Sequence, residues 1–172
     1  MIYKLSGPQL YLSSPVLSLL YLLGFEPFGF EIIGLLTVSV LFYFALNLDE
    51  RRAALLFFLF GFFLYCTGLY WLYISVHIVS GAPKILAILL IIILSIYLSL
   101  FHSVFGFIFV KFHRKIANEW ISLLLIAPSL WTFLEILRGY FLTGFPWFSL
   151  GYMESASLIS SWAPIGGVFL VS

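Results

Sequence analysis

Long apolar runs separated by short polar or glycine- and proline-containing connections organise this chain. About 20 apolar residues are needed to cross roughly 30 Å of hydrocarbon as an α-helix. The runs do not alternate as barrel strands do, and backbone groups in lipid must pair internally. We therefore predict an all-α, polytopic membrane helical bundle of about six transmembrane helices. Five spans are predicted at residues 8–23, 28–46, 53–76, 85–110 and 121–142, and a sixth, truncated span begins near Ser160 and ends at Ser172.

Composition agrees with this pattern. Hydrophobic residues make up 63% of the chain and charged residues 9%, whereas about a quarter of the residues in a soluble domain are charged. The net charge of +1 gives no electrostatic basis for binding nucleic acid. The single cysteine, Cys66, lies in an apolar run, where we interpret it as a small buried hydrophobic residue. The chain contains no metal-binding or cofactor motif, so we predict neither.

The positive charges predict an orientation, because cytoplasmic connections of membrane proteins are enriched in Lys and Arg. With a cytoplasmic N-terminus, the outer side holds only Lys84 and Arg138. The inner side then holds Lys4, Arg51, Arg52, Lys111, Arg114 and Lys115. The outer connections, at residues 24–29, 77–84 and 143–157, are rich in glycine, proline and aromatic residues. We expect the working face on that outer side.

Small residues within the runs predict close helix packing. Ser95, Ser99 and Ser103 recur at every fourth position of the fourth span, and Gly61 and Gly68 share a face of the third. Small side chains at such spacing allow helices to approach closely in lipid. We interpret both patterns as structural.

The best candidate site is the motif LTGFPW at residues 142–147, followed by Gly151 and Tyr152. Glycine and proline restrict this loop to a few backbone conformations, so Trp147 is held on a stiff mount. The loop can pack against the acyl chain of a lipid, or it can anchor the protein at the membrane interface. Our substrate-binding candidates in the loop are Gly144, Phe145, Pro146, Trp147 and Tyr152.

Two ionisable residues precede the loop inside an otherwise apolar run. Glu135 and Arg138 are three positions apart, so they can face one another on a helix. One interpretation is a structural salt bridge that neutralises both charges and locks the loop. The other is contact with a charged lipid headgroup, for which the guanidinium of Arg138 suits a phosphate. Both residues are substrate-binding candidates, and the chain offers no catalytic motif.

Several separated motifs resemble the N-terminal membrane region of bacterial apolipoprotein N-acyltransferases. They are GLYWLYISV at residues 68–76, GAP at 81–83, APSLW at 127–131, Glu135 with LRG at 137–139, the LTGFPW loop with Gly151 and Tyr152, and APIGGV at 163–168. The resemblance runs along almost the whole chain. It implies that residues 1–172 are the N-terminal transmembrane domain of such a protein, in the bacterial cytoplasmic membrane.

The resemblance also implies a reaction and its partners. Members of the family transfer an acyl chain from a phospholipid to the free α-amino group of a diacylglyceryl-modified N-terminal cysteine on a lipoprotein. The transfer takes place at the outer face of the membrane, through a thioester on a cysteine. The implied partners are a phospholipid acyl donor, a diacylglyceryl-lipoprotein and membrane lipid. The site residues would form the membrane floor beneath the active site.

The resemblance places the family's Glu-Lys-Cys catalytic residues in a nitrilase-like domain that follows the membrane segments. Cys66 is not the matching nucleophile, because a thiol buried among apolar groups resists ionisation. We therefore expect no catalytic residue in residues 1–172 and no acyl transfer by this chain alone. The alternative function is a non-catalytic membrane module that binds lipid or lipoprotein.

Overall fold

The structure is a computed structural model that describes residues 7–153 and 161–172. Lys4, which contributes to the predicted orientation, lies outside the described residues. So do residues 154–157 of the third predicted outer connection and Ser160, where the sixth span is predicted to begin. Within the described ranges every regular element is helical and no β-strand occurs. The all-α bundle predicted from the sequence is confirmed.

Five of the helical segments form the body of the bundle. Three are long and apolar enough to cross a membrane by length and composition: Glu50–Gly68, Lys84–His113 and Glu119–Thr143. The two segments before them are shorter apolar helices. In chain order, the main helices are α1 (Gly7–Leu22), α2 (Glu31–Leu46), α3 (Glu50–Gly68), α4 (Tyr70–Tyr73), α5 (Lys84–His113), α6 (Glu119–Ile121) and α7 (Ala127–Tyr140).

The third predicted span, at residues 53–76, is wrong as one continuous helix. Helix α3 ends at Gly68, Leu69 departs from helical geometry at φ −91° and ψ 14°, and α4 continues into a π-helical turn over Ile74–Val79. The break follows a crowded position, because a Cβ on Gly68 would lie 2.6 Å from the ring of Phe148. Glycine is also the poorest helix former after proline. The sequence pattern alone does not show that Phe148 packs against Gly68.

The fifth predicted span is one segment with an irregular middle. Helix α6 leads into a π-helical turn over Ser122–Ile126, in which the Ala127 N–H bonds to the Ser122 carbonyl, and α7 follows. Pro128 occupies the first turn of α7. Because proline has no N–H to donate, this is the part of a helix that tolerates it best.

Small residues bring α3 and α5 together, as the serine and glycine spacing predicts. A Cβ on Gly61 would lie 3.1 Å from the Cα of Ser99, and one on Gly106 would lie 2.7 Å from the Ala53 carbonyl oxygen. Ser95 and Ser99 are fully buried. The contact between α3 and α5 is the most extensive in the bundle, and α1 packs against α3 on another side.

Aromatic rings fill the space among α2, α3, α5 and α7. Phe105 lies 5.0 Å from Phe57 and 5.0 Å from Trp131, measured between ring centroids, and Phe42 stacks on Phe105 at 5.4 Å. Such pairs contribute about 0.5–1.5 kcal/mol each beyond simple area burial. They give α7 a fixed position, and that helix carries Glu135 and Arg138.

The described part of the sixth predicted span is not one helix. Two short helices, α8 (Ala163–Gly166) and α9 (Val168–Val171), are separated by Gly167 at φ +69°. Helix α9 packs against α7 and against the turn at Leu150–Tyr152. Gly167 itself is exposed, so it is helix α9 that places this segment beside the candidate site.

Candidate functional site

Glu135 lies inside the bundle near the end of α7 and is only 7% exposed. Its Oε1 atom accepts hydrogen bonds from the indole N–H of Trp131 and from the backbone N–H of Leu150, both at 2.9 Å. The first bond stays within α7, and the second reaches across to the segment after the loop. Glu135 thus fixes where the chain returns from the LTGFPW loop.

Arg138 is 2% exposed and is bound by residues in and next to the loop. Its Nη2 atom donates to the Ser149 hydroxyl at 2.9 Å, and that hydroxyl donates to the Pro146 carbonyl at 2.9 Å. The guanidinium carbon lies 5.6 Å from the centre of the Tyr65 ring, within the range of a cation–π contact. The Arg138 carbonyl also accepts from the Phe145 N–H at 2.9 Å.

The two charged residues lock the loop, but through separate contacts. No ion pair joins Glu135 to Arg138 in the part of the chain that the structure describes, where the ion pairs are Arg52–Asp49 and Arg114–Glu50. The predicted direct salt bridge is therefore not the observed arrangement. A headgroup contact by either residue stays a prediction, since in this conformation both lie beneath the loop.

A small cavity lies beside this pair. Its volume is about 10 Å³, roughly the space that one water molecule occupies. Among the described residues, Glu135 Oε2 and the Nε and Nη1 atoms of Arg138 are buried and have no hydrogen-bond partner. The wall of the cavity is formed by Phe101, His102, Phe105, Trp131, Leu134, Glu135 and Arg138.

The LTGFPW loop has an unusual backbone. Leu142, Thr143 and Phe148 have positive φ values of 48°, 75° and 61°, each of which costs about 1–2 kcal/mol for a residue with a side chain. Gly144 has φ +82°, and a Cβ there would overlap the Gly139 carbonyl. A conformation this costly persists because the bonds from Glu135 and Arg138 hold both sides of the loop.

Two rings of the loop point inward and one points outward. Phe148 contacts Phe25 with 5.4 Å between ring centroids, and its carbonyl accepts from the Tyr21 hydroxyl at 3.3 Å. Phe145 lies 5.0 Å from Trp147 and supports it from behind. Trp147 itself is 51% exposed and contacts Trp71, 6.3 Å away, at the start of α4.

A groove of about 540 Å³ opens where the loop meets the α1–α2 connection. Among the described residues, its walls are Phe25, Glu26, Pro146, Trp147, Phe148 and Tyr152. Of these described lining residues, Glu26 is the one that carries a charge, and the others are aromatic or apolar. Its size and composition are those of a site for an amphipathic small molecule or a lipid chain.

The structure thus brings the predicted residues to one end of the bundle in different roles. Pro146, Trp147 and Tyr152 line the groove, Phe145 and Gly144 shape the loop, and Glu135 and Arg138 lie beneath it. Sequence reasoning did not select Phe25, Glu26, Phe148 and Ser149. Phe25 and Glu26 belong to a connection that the sequence predicts on the same side as the loop. The sequence therefore placed them at the same end of the bundle, but it did not predict their contact with the loop.

Comparison with known proteins gives a family match over most of the chain. A sequence profile described as the apolipoprotein N-acyltransferase N-terminal domain matches residues 17–172. The chain belongs to this family. The matched stretch contains the groove, the loop and the buried pair beneath it.

Similar proteins named apolipoprotein N-acyltransferase occur in several bacteria. Those of Vibrio cholerae serotype O1 and Pseudomonas putida are each 34% identical over 151 residues, covering 87% and 88% of this chain. That of Photobacterium profundum is 34% identical over 146 residues, covering 85% of it. The aligned part makes up 29%, 30% and 28% of these relatives' own lengths. This member of the family therefore spans about 30% of the length of the relatives that it matches.

Proposed function

We propose that residues 1–172 are the N-terminal transmembrane domain of an apolipoprotein N-acyltransferase and form the membrane floor of its active site. In this role the groove holds acyl chains of the phospholipid donor and of the diacylglyceryl-lipoprotein acceptor while the transfer occurs above it. The observation that carries the proposal is the groove itself, which joins the family's characteristic loop to the α1–α2 connection. Family membership supplies the reaction.

The lining chemistry supports lipid as the occupant. Trp147 and Tyr152 are 51% and 46% exposed, and both are residue types that favour the membrane–water interface. Burying an aromatic or aliphatic surface of this kind contributes about 25 cal/mol per Å². A stiff loop loses little conformational freedom when a chain binds, so more of that free energy remains as affinity.

The proposed location is the bacterial cytoplasmic membrane, with a cytoplasmic N-terminus and the groove on the outer face. The distribution of described charges supports this orientation. Arg114 donates to the Leu48 carbonyl at 3.0 Å and pairs with Glu50 at 3.3 Å, at the end of the bundle opposite the groove. The sequence places four more positive charges around that end, Arg51, Arg52, Lys111 and Lys115. Such an enrichment is typical of the cytoplasmic side.

The proposal assigns the chemistry to a nitrilase-like part and the lipid-binding floor to this chain, so the two are needed together. The test is N-acylation of a diacylglyceryl-lipoprotein in membranes that lack other N-acyltransferase. We expect none with residues 1–172 alone. We expect product when they are joined to the remaining part of the Vibrio cholerae relative.

Two controls make the outcome clear. The Vibrio cholerae protein with its own membrane region gives the reference rate, and the chimera carrying Trp120→Ala, at the opposite end of the bundle, should match the unmodified chimera. Acyl transfer by residues 1–172 alone would contradict the division of roles. A correctly inserted but inactive chimera that still binds lipid would favour the alternative, a non-catalytic lipid- or lipoprotein-binding module.

A further inference from the structure

Among the described residues that line the groove, Glu26 is the one with a charge, which lipid chains do not explain. It lies in the α1–α2 connection, its side chain is exposed, and it lines the groove together with aromatic rings. No ion pair between described residues involves it. An unpaired carboxylate on the wall of a groove is available to a cationic ligand, with the modest attraction of an exposed charge.

We propose that Glu26 binds the α-ammonium group of the acceptor, the free N-terminus of a lipid-modified cysteine, when the acceptor docks in the groove. The inference rests on the proposed function, because it assumes that the groove receives the acceptor. It adds a recognition residue for the polar end of that substrate. Glu26 is a docking residue in this scheme and takes no part in bond making.

The aromatic walls suit the same ligand. Trp147, Phe148 and Tyr152 line the groove with Glu26, and the faces of such rings attract cations with about 0.5–2 kcal/mol. An ammonium group attached to acyl chains can therefore place its charge at Glu26 and its chains along the rings. The groove offers both halves of the ligand a matching surface.

A phospholipid headgroup fits less well. An ethanolamine headgroup carries a phosphate next to its ammonium, and a phosphate calls for Arg or Lys donors. Among the described residues that line the groove none is Arg or Lys, and Arg138 lies beneath the loop with its Nη2 bonded to Ser149. The observed charges thus favour an ammonium without an adjacent phosphate.

The test is a binding measurement with residues 1–172 in phosphatidylcholine nanodiscs. The probe is a fluorescent S-diacylglyceryl-cysteinyl pentapeptide, used with a free and with an acetylated N-terminus. We expect tighter binding of the free amine, and loss of that preference by about three- to fivefold in Glu26→Gln, the range of a partly exposed charge pair. Glu31→Gln, which alters a nearby carboxylate at the start of α2, should keep the preference.

Each other result has a distinct meaning. If both peptides bind equally to the unmodified protein, or if Glu26→Gln retains the preference, the ammonium site is wrong while the lipid groove stands. If phosphatidylethanolamine in the nanodisc removes the preference, the headgroup is the occupant and the assignment to the peptide is wrong. If neither peptide binds, the proposed function fails together with the inference.

Discussion

Arg138 is 2% exposed inside a membrane-spanning segment, and its contacts explain how the bundle tolerates it. A buried charge is costly unless it is paired or well hydrogen-bonded. Arg138 meets the Ser149 hydroxyl at 2.9 Å and the face of the Tyr65 ring. Glu135, one turn earlier on α7, does not touch Arg138 and instead accepts hydrogen bonds from Trp131 and Leu150. The two residues therefore hold the chain on either side of the loop through separate contacts.

Removing the Ser149 hydroxyl should show most clearly that Arg138 holds the loop in place. Replacing Ser149 by Ala leaves the Arg138 Nη2 atom without its partner and also removes the bond to the Pro146 carbonyl. A buried donor left unsatisfied costs about 1–3 kcal/mol, and more when it is charged. We expect a clearly lower midpoint of thermal unfolding in detergent and faster proteolysis of the loop.

The matched control is Ser39→Ala. Ser39 is exposed and bonds only within its own helix, to the Leu35 carbonyl at 3.0 Å, so its removal should change the unfolding midpoint little. If the two variants unfold at the same temperature, the hydrogen bonds of Ser149 to Arg138 and Pro146 do not stabilise the loop.

At this scale the sequence predicted the charged residues but not their partners. Glu135 and Arg138 are conspicuous because ionisable residues are rare in apolar runs. Their bonds to Leu150 and Ser149 cross 15 and 11 positions of chain, and the path of the loop sets them. Phe148 was missed for the same reason, because no spacing rule indicates that it turns inward to Phe25.

Among the elements, the loop depends most on a single backbone position. Gly144 adopts φ +82°, and any side chain there would overlap the Gly139 carbonyl. We predict that Gly144→Ala displaces the loop and lowers the free energy of unfolding by at least about 2 kcal/mol, since both backbone strain and a clash must be relieved. Thermal unfolding and lipid binding by the variant measure the effect.

Gly81 provides the comparison. It has a similar φ of +71°, but a Cβ there would meet nothing within 4 Å, so Gly81→Ala should cost only about 1 kcal/mol. Equal losses in the two variants would mean that backbone strain alone matters and that the contact with Gly139 does not.

The helices themselves were largely predictable, and their interruptions were not. Apolar length fixes α5 and the segment Glu119–Thr143, because lipid requires every backbone group to pair within a helix. The break after Gly68 depends on a neighbour, because Phe148 crowds that position. Gly167, by contrast, is exposed, with nothing within 4 Å of an added Cβ. A pattern read along one chain contains no information about such neighbours.

For the whole molecule, the proposed orientation requires that the groove and the basic connections lie on opposite sides of the membrane. We predict that Ser80→Cys, in the connection before α5, reacts with a membrane-impermeant maleimide added to intact bacterial cells. Lys115→Cys, after the other end of α5, should react only after the cells are opened. Both substitutions are made with Cys66→Ala, which removes the natural thiol.

The reverse labelling pattern would overturn the orientation. Labelling of both positions in intact cells would mean that α5 does not span the membrane, although its 30 residues and apolar composition favour a span. Two cysteine positions are enough, because the two ends of a membrane-spanning helix lie on opposite sides of the membrane and only one of them can be labelled in intact cells.

Whether the groove holds lipid chains can be measured by photocrosslinking with a phospholipid that carries a diazirine near the acyl carbonyl. We expect crosslinks concentrated at Phe25, Phe148 and Tyr152. Trp147→Ala should lower them about threefold or more, because it removes one wall of the groove, and Trp120→Ala at the opposite end should not. Crosslinks spread evenly over residues at the same depth and unchanged in Trp147→Ala would mean that the groove is not the lipid site.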